Sequence, residues 1–323
     1  MNSTTQFQVS ALDRKGGWKI IEGPPPEDIP EDDTLLYWIH LDYNQEHALK
    51  WILQAEWLDS IVKENLLDEK SRPRSERIND GLFLALRGVN LNPGSEPDDM
   101  VAVRLWATEK TIITSNHRRL LSLQYIRDLL SKGKGPDTAS TFIALLIEAI
   151  TQRNEDVIED LEDRLEFLED NLDTLDKENK AKFSDLRRQA IRLRRYLSPQ
   201  QESLQHLITT PPDWLQKNCK KRIRECSYQL KRHVEMLDSI RERAIVAQEE
   251  LLAQLSEALS HRMYILSLVT ALFLPLSFLT GLFGINVGGI PGAKSTNGFL
   301  LFCLLVIVLL GFLLAFFKKK KWL

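Results

Sequence analysis

The chain has 323 residues, 43% of them hydrophobic, with 45 Asp and Glu against 42 Lys and Arg. The charge is uneven: the first 261 residues hold 36 basic and 45 acidic side chains, a net −9, and the remainder holds six basic and no acidic ones. So acidic a body excludes a nucleic-acid binder, which needs clustered Lys and Arg against phosphate, and three cysteines exclude a disulfide framework.

The N-terminus, MNSTTQFQVSALDRKGG, holds no apolar stretch of the kind a signal peptide requires. Apolar runs predict strands over Leu35–Leu41, Leu82–Val89 and Val101–Trp106, with Thr111–Ser115 returning from Trp106 through a turn at Ala107–Lys110. Helical spacing predicts Ala48–Leu58 and Leu120–Leu130 as helices. Pro24–Pro26 and Asn92-Pro93-Gly94 mark loops. These elements make an α/β layer of modest size. Gly133-Lys134-Gly135-Pro136 lacks the first Gly and the Lys-Ser/Thr of a phosphate loop, and neither a zinc-protease helix nor a nucleophile elbow is present. No ATPase or hydrolase site is legible.

From Thr138 the pattern is helical. Glu155 to Glu178 contains twelve acidic residues and only Arg164 and Lys177 as bases, whereas Lys182 to Arg195 has six basic residues against Asp185. The polar turn near Asp176–Lys180 predicts an antiparallel hairpin with facing opposite charges. Its acidic side is either a solvated face or a surface that gathers cations. After Pro211-Pro212, with Asp213 as the expected N-cap, neither Gly nor Pro recurs until Pro275. Helix from Asp213 to Phe283 would run roughly 105 Å at 1.5 Å per residue. Ile223, Cys226, Leu230, His233, Leu237, Ile240, Ala244, Ala247 and Leu251 form one apolar stripe on it. Such a stripe needs neighbours, either copies of itself in a ring or its own domain. Cys219, Cys226 and His233 recur every seven residues; that separation, ~10.5 Å along a helix, is too wide for one ion and favours a seam over a metal site.

Met263–Phe283 and Gly298–Phe317 are uncharged runs of the ~20 residues a bilayer requires. Lys318–Lys321 follow the second run and Arg262 precedes the first, while the intervening loop has only Lys294. The positive-inside rule then puts both termini in the cytoplasm. The second run is almost purely aliphatic and aromatic, whereas the first carries Ser267, Thr270, Ser277 and Thr280. Hydroxyls belong on a water-facing or protein-facing side. The first span is therefore the expected inner helix, with Met263, Ser267 or Leu266, Thr270, Leu274 and Ser277 on one stripe. The alternative is that each hydroxyl bonds back to its own helix. Two helices enclose no interior, so an aqueous path requires a cyclic oligomer. Neither span contains an ionisable residue apart from Tyr264 and Cys303. A permeating cation would meet neutral oxygens that hold it weakly enough for release.

The segment Pro275-Leu276-Ser277-Phe278-Leu279-Thr280-Gly281-Leu282-Phe283-Gly284-Ile285-Asn286 resembles the end of the first span in the CorA superfamily of divalent-cation transporters, whose Gly-Met-Asn signature stands here as Gly284-Ile285-Asn286. Val287–Gly292, the terminal Lys321-Trp322-Leu323 and the stretch Arg72–Asn90 resemble the zinc-associated ZntB branch. The resemblance covers essentially the whole chain. It implies an α+β fold: a cytoplasmic α/β/α funnel domain over 1–212, a stalk helix over 213–262 continuing into the first span, and a two-span membrane domain over 263–323, assembled as a homopentamer in the bacterial inner membrane. It implies no enzyme activity, no organic cofactor, and Zn²⁺ as the transported substrate. Gly284, Ile285 and Asn286 would form the selectivity filter, with Asn286 meeting the metal. Ser277, Leu274, Thr270, Leu266, Met263 and Glu249 would line the path, and Lys318, Lys319, Lys320 and Lys321 would form a basic collar. Magnesium-type members often carry acids in the outer loop; this chain has Lys294 there and Ile285 for Met, which favours the zinc branch. Uptake is the expected direction. Proton coupling, efflux, a Mg²⁺, Co²⁺ or Ni²⁺ channel, and a membrane-anchored interaction module are the alternatives.

Overall fold

The structure, a computed structural model, describes residues 8–21, 35–69, 71–171, 177–284 and 296–320, with backbone alone at 177–180. The soluble part is built on seven strands: β1 (Gln8–Leu12), β2 (Trp18–Ile21), β3 (Leu36–Asp42), β4 (Arg74–Ile78), β5 (Gly81–Gly88), β6 (Val101–Ala107) and β7 (Thr111–Asn116). They lie in the order β2-β1-β3-β7-β6-β5-β4. Only β3 and β7 pair in parallel; the other pairings are antiparallel. The central strands are apolar along most of their length because both faces are covered. Edge strand β4, Arg-Ser-Glu-Arg-Ile, exposes charge, which discourages pairing with another chain. Between β4 and β5, Asn79 takes φ +53° in a tight turn. Gly81 follows because a Cβ there would lie 2.4 Å from the Trp106 indole.

Helices α1 (Glu46–Gln54) and α2 (Ser60–Leu67) cover one face, where Ile52, Val62 and Leu66 join Ile39, Phe83 and Ile113. The start of α2 is set by Asp59, whose carboxylate accepts the Ile61 N–H at 2.8 Å. On the other face lie α3 (Leu121–Ser131) and α4 (Ala139–Asp170), with Ile126, Phe142 and Ile147 against Trp38, Leu84 and Leu105. Thr138 and Thr141 close a capping box at the entry to α4, so the predicted change at Thr138 is a real helix start.

Helix α5 (Lys177–Thr209) and helix α6 (Lys217–Phe283) follow. The structure moves the start of α6 four residues beyond the expected cap at Asp213. That residue instead pairs with Arg77 at 3.0 Å, Trp214 donates its indole N–H to the Asp80 carbonyl, and the Gln216 N–H donates to Ser140 Oγ. These contacts hold the chain in a turn against the sheet domain.

Two further expectations change. The apolar stripe of α6 from Ile223 to Ala247 is buried within the chain and shares one core with Ile158, Leu161 and Leu165 of α4 and Leu186 and Leu193 of α5. Packing on its own domain, not a ring of copies, therefore covers that stripe. Among the described residues no ion pair joins the acids of α4 to the bases of α5, contrary to the expected facing of opposite charges. Acids of α4 meet bases of α6: Glu148 holds Arg222 at 2.6 Å, and Glu169 and Glu162 hold Arg243. Bases of α5 reach Asp98 and Asp238 at 3.0 and 2.7 Å. The seam between α4 and α5 is apolar, and the turn expected at Asp176–Lys180 is not one from Lys177 onward, where α5 already begins; Asp176 lies outside the described residues. The chain divides into two compact units, Met1–Gln248 and Glu249–Leu323, with the boundary inside α6.

Candidate functional site

In the second unit, the end of α6 and helix α7 (Gly298–Lys319) are both long and apolar enough to cross a membrane. Their contact is marked by Phe283 against Phe302, with ring centroids 5.1 Å apart. Leu268, Leu272, Pro275, Leu276 and Leu279 are the partly covered residues of this part of α6, and Phe302, Cys303, Val306, Leu309, Leu313 and Phe317 form the covered stripe of α7. Leucines at three- and four-residue steps give α6 this packing face, a periodicity readable in the sequence.

The predicted lining residues Met263, Leu266, Ser267, Thr270, Leu274 and Ser277 are all exposed in the single chain. At ~100° per residue their mean direction lies roughly 170° from that of the α7-facing residues. The same helix thus keeps one face for α7 and presents the opposite, hydroxyl-bearing face outward. Thr270 donates its hydroxyl to the Leu266 carbonyl at 2.8 Å, and Thr280, off this stripe, donates to the Leu276 and Ser277 carbonyls at 3.0 Å. The back-bonding alternative therefore holds for both threonines. It does not disqualify Thr270, because a hydroxyl that donates its proton still turns oxygen lone pairs outward, and lone pairs are what a cation or its hydration water needs.

Gly284 ends the first span, its N–H shared between the carbonyls of Thr280 and Gly281 at 3.0 and 3.2 Å. A Cβ there would sit 3.0 Å from the Thr280 oxygen. Ile285 and Asn286 lie outside the described residues, as do Lys294 and Lys321. Lys318, Lys319 and Lys320 are exposed at the end of α7, and Glu249 is exposed on α6.

The seven-residue series in α6 forms no metal site. Cys219, Cys226 and His233 are buried against α4. Burial pushes the Cys226 thiol up to about 12, the opposite of what a thiolate ligand requires. Burial also lowers the His233 imidazole, against the pull of Glu155, whose Oε1 is 3.8 Å from Nε2. Among the described residues no group of three or more His, Cys, Asp or Glu could hold a metal ion.

A sheet domain followed by one long helix, two apolar helices and an uncharged hydroxyl stripe fits a membrane transport protein of the two-span kind. The family model described as CorA-like Mg2+ transporter protein matches residues 33–319, and the chain belongs to that family, one of transporters rather than enzymes. It is 34% identical over 312 residues to the zinc transport protein ZntB of Yersinia pseudotuberculosis serotype O:1b, covering 97% of this chain and 94% of that protein. Among solved structures, full-length CmaX is 33% identical with a TM-score of 0.86, covering 99% of this chain and 100% of that one. The CorA magnesium transporter of Methanocaldococcus jannaschii has a TM-score of 0.83 at 20% identity, with 100% of each chain covered, a likeness of fold alone.

Proposed function

We propose that this chain carries Zn²⁺ across the bacterial inner membrane as a homopentamer, in the direction of uptake, with both termini in the cytoplasm. The observation that carries the proposal is the placement of the Met263–Ser277 stripe on the face of α6 turned away from α7. Five such faces around an axis would enclose a path lined by Met263, Leu266, Thr270, Leu274 and Ser277, with α7 outside against lipid. Residues 1–212 serve as the funnel domain, 213–262 as the stalk and 263–323 as the membrane domain. Asn286 with Gly284 and Ile285 forms the outer filter, Glu249 faces the path on the cytoplasmic side, and Lys318–Lys321 form the collar. The membrane potential, ~2.3 kcal/mol per charge per 100 mV, draws a divalent ion inward by about 4.6 kcal/mol. No nucleotide site is needed for that. Zinc rather than magnesium is supported by the zinc transport relatives and by the loop, where Lys294 stands among residues without a carboxylate.

The test is metal flux into liposomes holding the purified protein, comparing Zn²⁺ with Mg²⁺, with and without a pH gradient. Zinc should enter faster than magnesium. Equal or preferential entry of Mg²⁺ would select the magnesium-type reading, and a Zn²⁺ flux that follows the pH gradient would assign proton coupling.

A further inference from the structure

Strand β6 reads Val-Ala-Val-Arg-Leu-Trp-Ala, and its one charged residue, Arg104, is fully buried. It lies on the same strand face as Trp106, the face covered by α1 and α2. Its Nε donates to the Ser71 hydroxyl at 3.1 Å and its guanidinium sits 5.4 Å from the centre of the Tyr43 ring, but Nη1 and Nη2 are buried without a hydrogen-bond partner. Arg87 stands on the adjacent strand. It donates to the carbonyls of Met100 and Ser71 at 3.3 and 3.2 Å and lies over the Tyr196 ring, and its Nε is likewise buried and unpartnered. Neither guanidinium has a carboxylate partner among the described residues. Burial, and then repulsion from Arg104 and Arg118, hold the Arg87 guanidinium below its ordinary value. A buried cation left without a counter-charge is costly; Arg104 is buried, Arg87 beside it is half-buried, and neither has one among the described residues.

A cavity of about 130 Å³ adjoins Arg87, lined by Tyr43, Glu69, Arg87, Ala102, His117 and Arg118 among others, with Arg104 outside that lining. Tyr43 is both its wall and the ring beside Arg104, and Ala102 is two residues from Arg104 on the same strand face. The volume has room for several waters. Arg118 is already held by Asp99, which leaves Glu69 as the one lining carboxylate, and Glu69 makes no ion pair among the described residues.

The topology points to the same place. Parallel strands β3 and β7 are in register at Asp42 and Asn116, and the next residues, Tyr43 and His117, stack with centroids 5.5 Å apart. After β3 the chain passes to α1 and α2 on one face; after β7 it passes to α3 and α4 on the other. Adjacent parallel strands that part in this way open a crevice at their carboxyl ends, where α/β sheets commonly bind ligands.

We propose that this crevice binds a tetrahedral oxyanion of the phosphate class, with Arg87 and Arg118 on its wall as the donors, Arg104 a buried positive charge beyond Tyr43, and Glu69 an opposing charge that limits affinity. The planar guanidinium fork matches two phosphate oxygens at once, and the space exceeds what one monatomic ion fills. The phosphate is either free or the terminal group of a nucleotide. Bound there, it would tie the ends of β3 and β7 to Ser71 and raise the stability of the soluble unit.

The experiment is calorimetric titration of the full chain in metal-free lipid nanodiscs with inorganic phosphate, with a nucleoside triphosphate and with chloride. Saturable binding of one phosphate per chain is expected, weakened at least about tenfold by Arg104→Gln and tightened by Glu69→Gln. Tighter binding of the triphosphate than of phosphate assigns the esterified source; the reverse assigns the free anion. Because Arg104→Gln removes a buried side chain, its thermal unfolding is recorded alongside, and Glu69→Gln, with every arginine intact, tests the site if that variant does not fold. Absence of saturable binding to wild type and to Glu69→Gln overturns the proposal. So does a folded Arg104→Gln variant that binds like wild type, or chloride bound as tightly as phosphate.

Discussion

His40 should make the soluble unit sensitive to mild acid. Its Nδ1 lies 2.8 Å from Thr114 Oγ1, and that oxygen already accepts the Trp38 indole N–H at 2.9 Å. In the neutral tautomer that leaves Nδ1 bare, the Thr114 hydroxyl can donate its proton to it. Burial, with Arg127 nearby, lowers His40 from 6.5 to about 3. The folded state thus resists a proton that the unfolded chain accepts. The contribution is complete above pH 6.5 and is lost as pH falls from there toward 3. At ~1.4 kcal/mol per pH unit, the loss between pH 7.5 and pH 5 is about 2 kcal/mol. For a unit of this size that is a fall of roughly 4–8 °C in melting midpoint. His40→Asn keeps an acceptor near Nδ1 and removes the titration. Thermal unfolding followed by circular dichroism at both pH values should show a smaller acid shift in the variant, by that amount. Equal shifts in the two proteins would refute the reasoning.

Leu237→Glu places a carboxylate in the core shared by α4, α5 and α6, where Leu237 is fully buried, and should cost about 4 kcal/mol or more. Because the stripe is covered within the chain, size-exclusion and dichroism should show misfolded protein; well-folded monomers would mean that the stripe holds copies together. Asn286→Ala should abolish the preference for Zn²⁺ over Mg²⁺ in the liposome assay while leaving the oligomer intact, and wild-type selectivity in that variant would remove Asn286 from the filter.

The central strands were legible because strands covered on both faces are written as apolar runs: β5, β6 and β7 fall within a residue or two of their predicted bounds. Edge strands β2 and β4, and β1 beside β2, were not. Arg-Ser-Glu-Arg-Ile alternates polar residues with few apolar ones, and only the neighbouring β5 makes it a strand. The long helix was plain from its freedom from Gly and Pro, but its first turn was not, since Arg77 and Asp80 reach Asp213 and Trp214 from far along the chain. Periodicity marked the α6 stripe as buried and said nothing of what buries it. The hydroxyl face of the first span could be read directly, whereas its opposition to α7 depended on the leucines at 268, 272, 276 and 279. A lone Arg inside an otherwise apolar strand was the available sign of the buried guanidinium at Arg104.

The most direct test of the transport account is cysteine accessibility along the first span, in protein reconstituted in liposomes and carrying Cys303→Ser. Thr270→Cys and Ser277→Cys should react with a membrane-impermeant thiol reagent and be protected by Zn²⁺, while Leu272→Cys and Leu279→Cys should stay unlabelled. Labelling at 272 and 279 with silence at 270 and 277, or no labelling at any of the four, would contradict a water-filled path on that face.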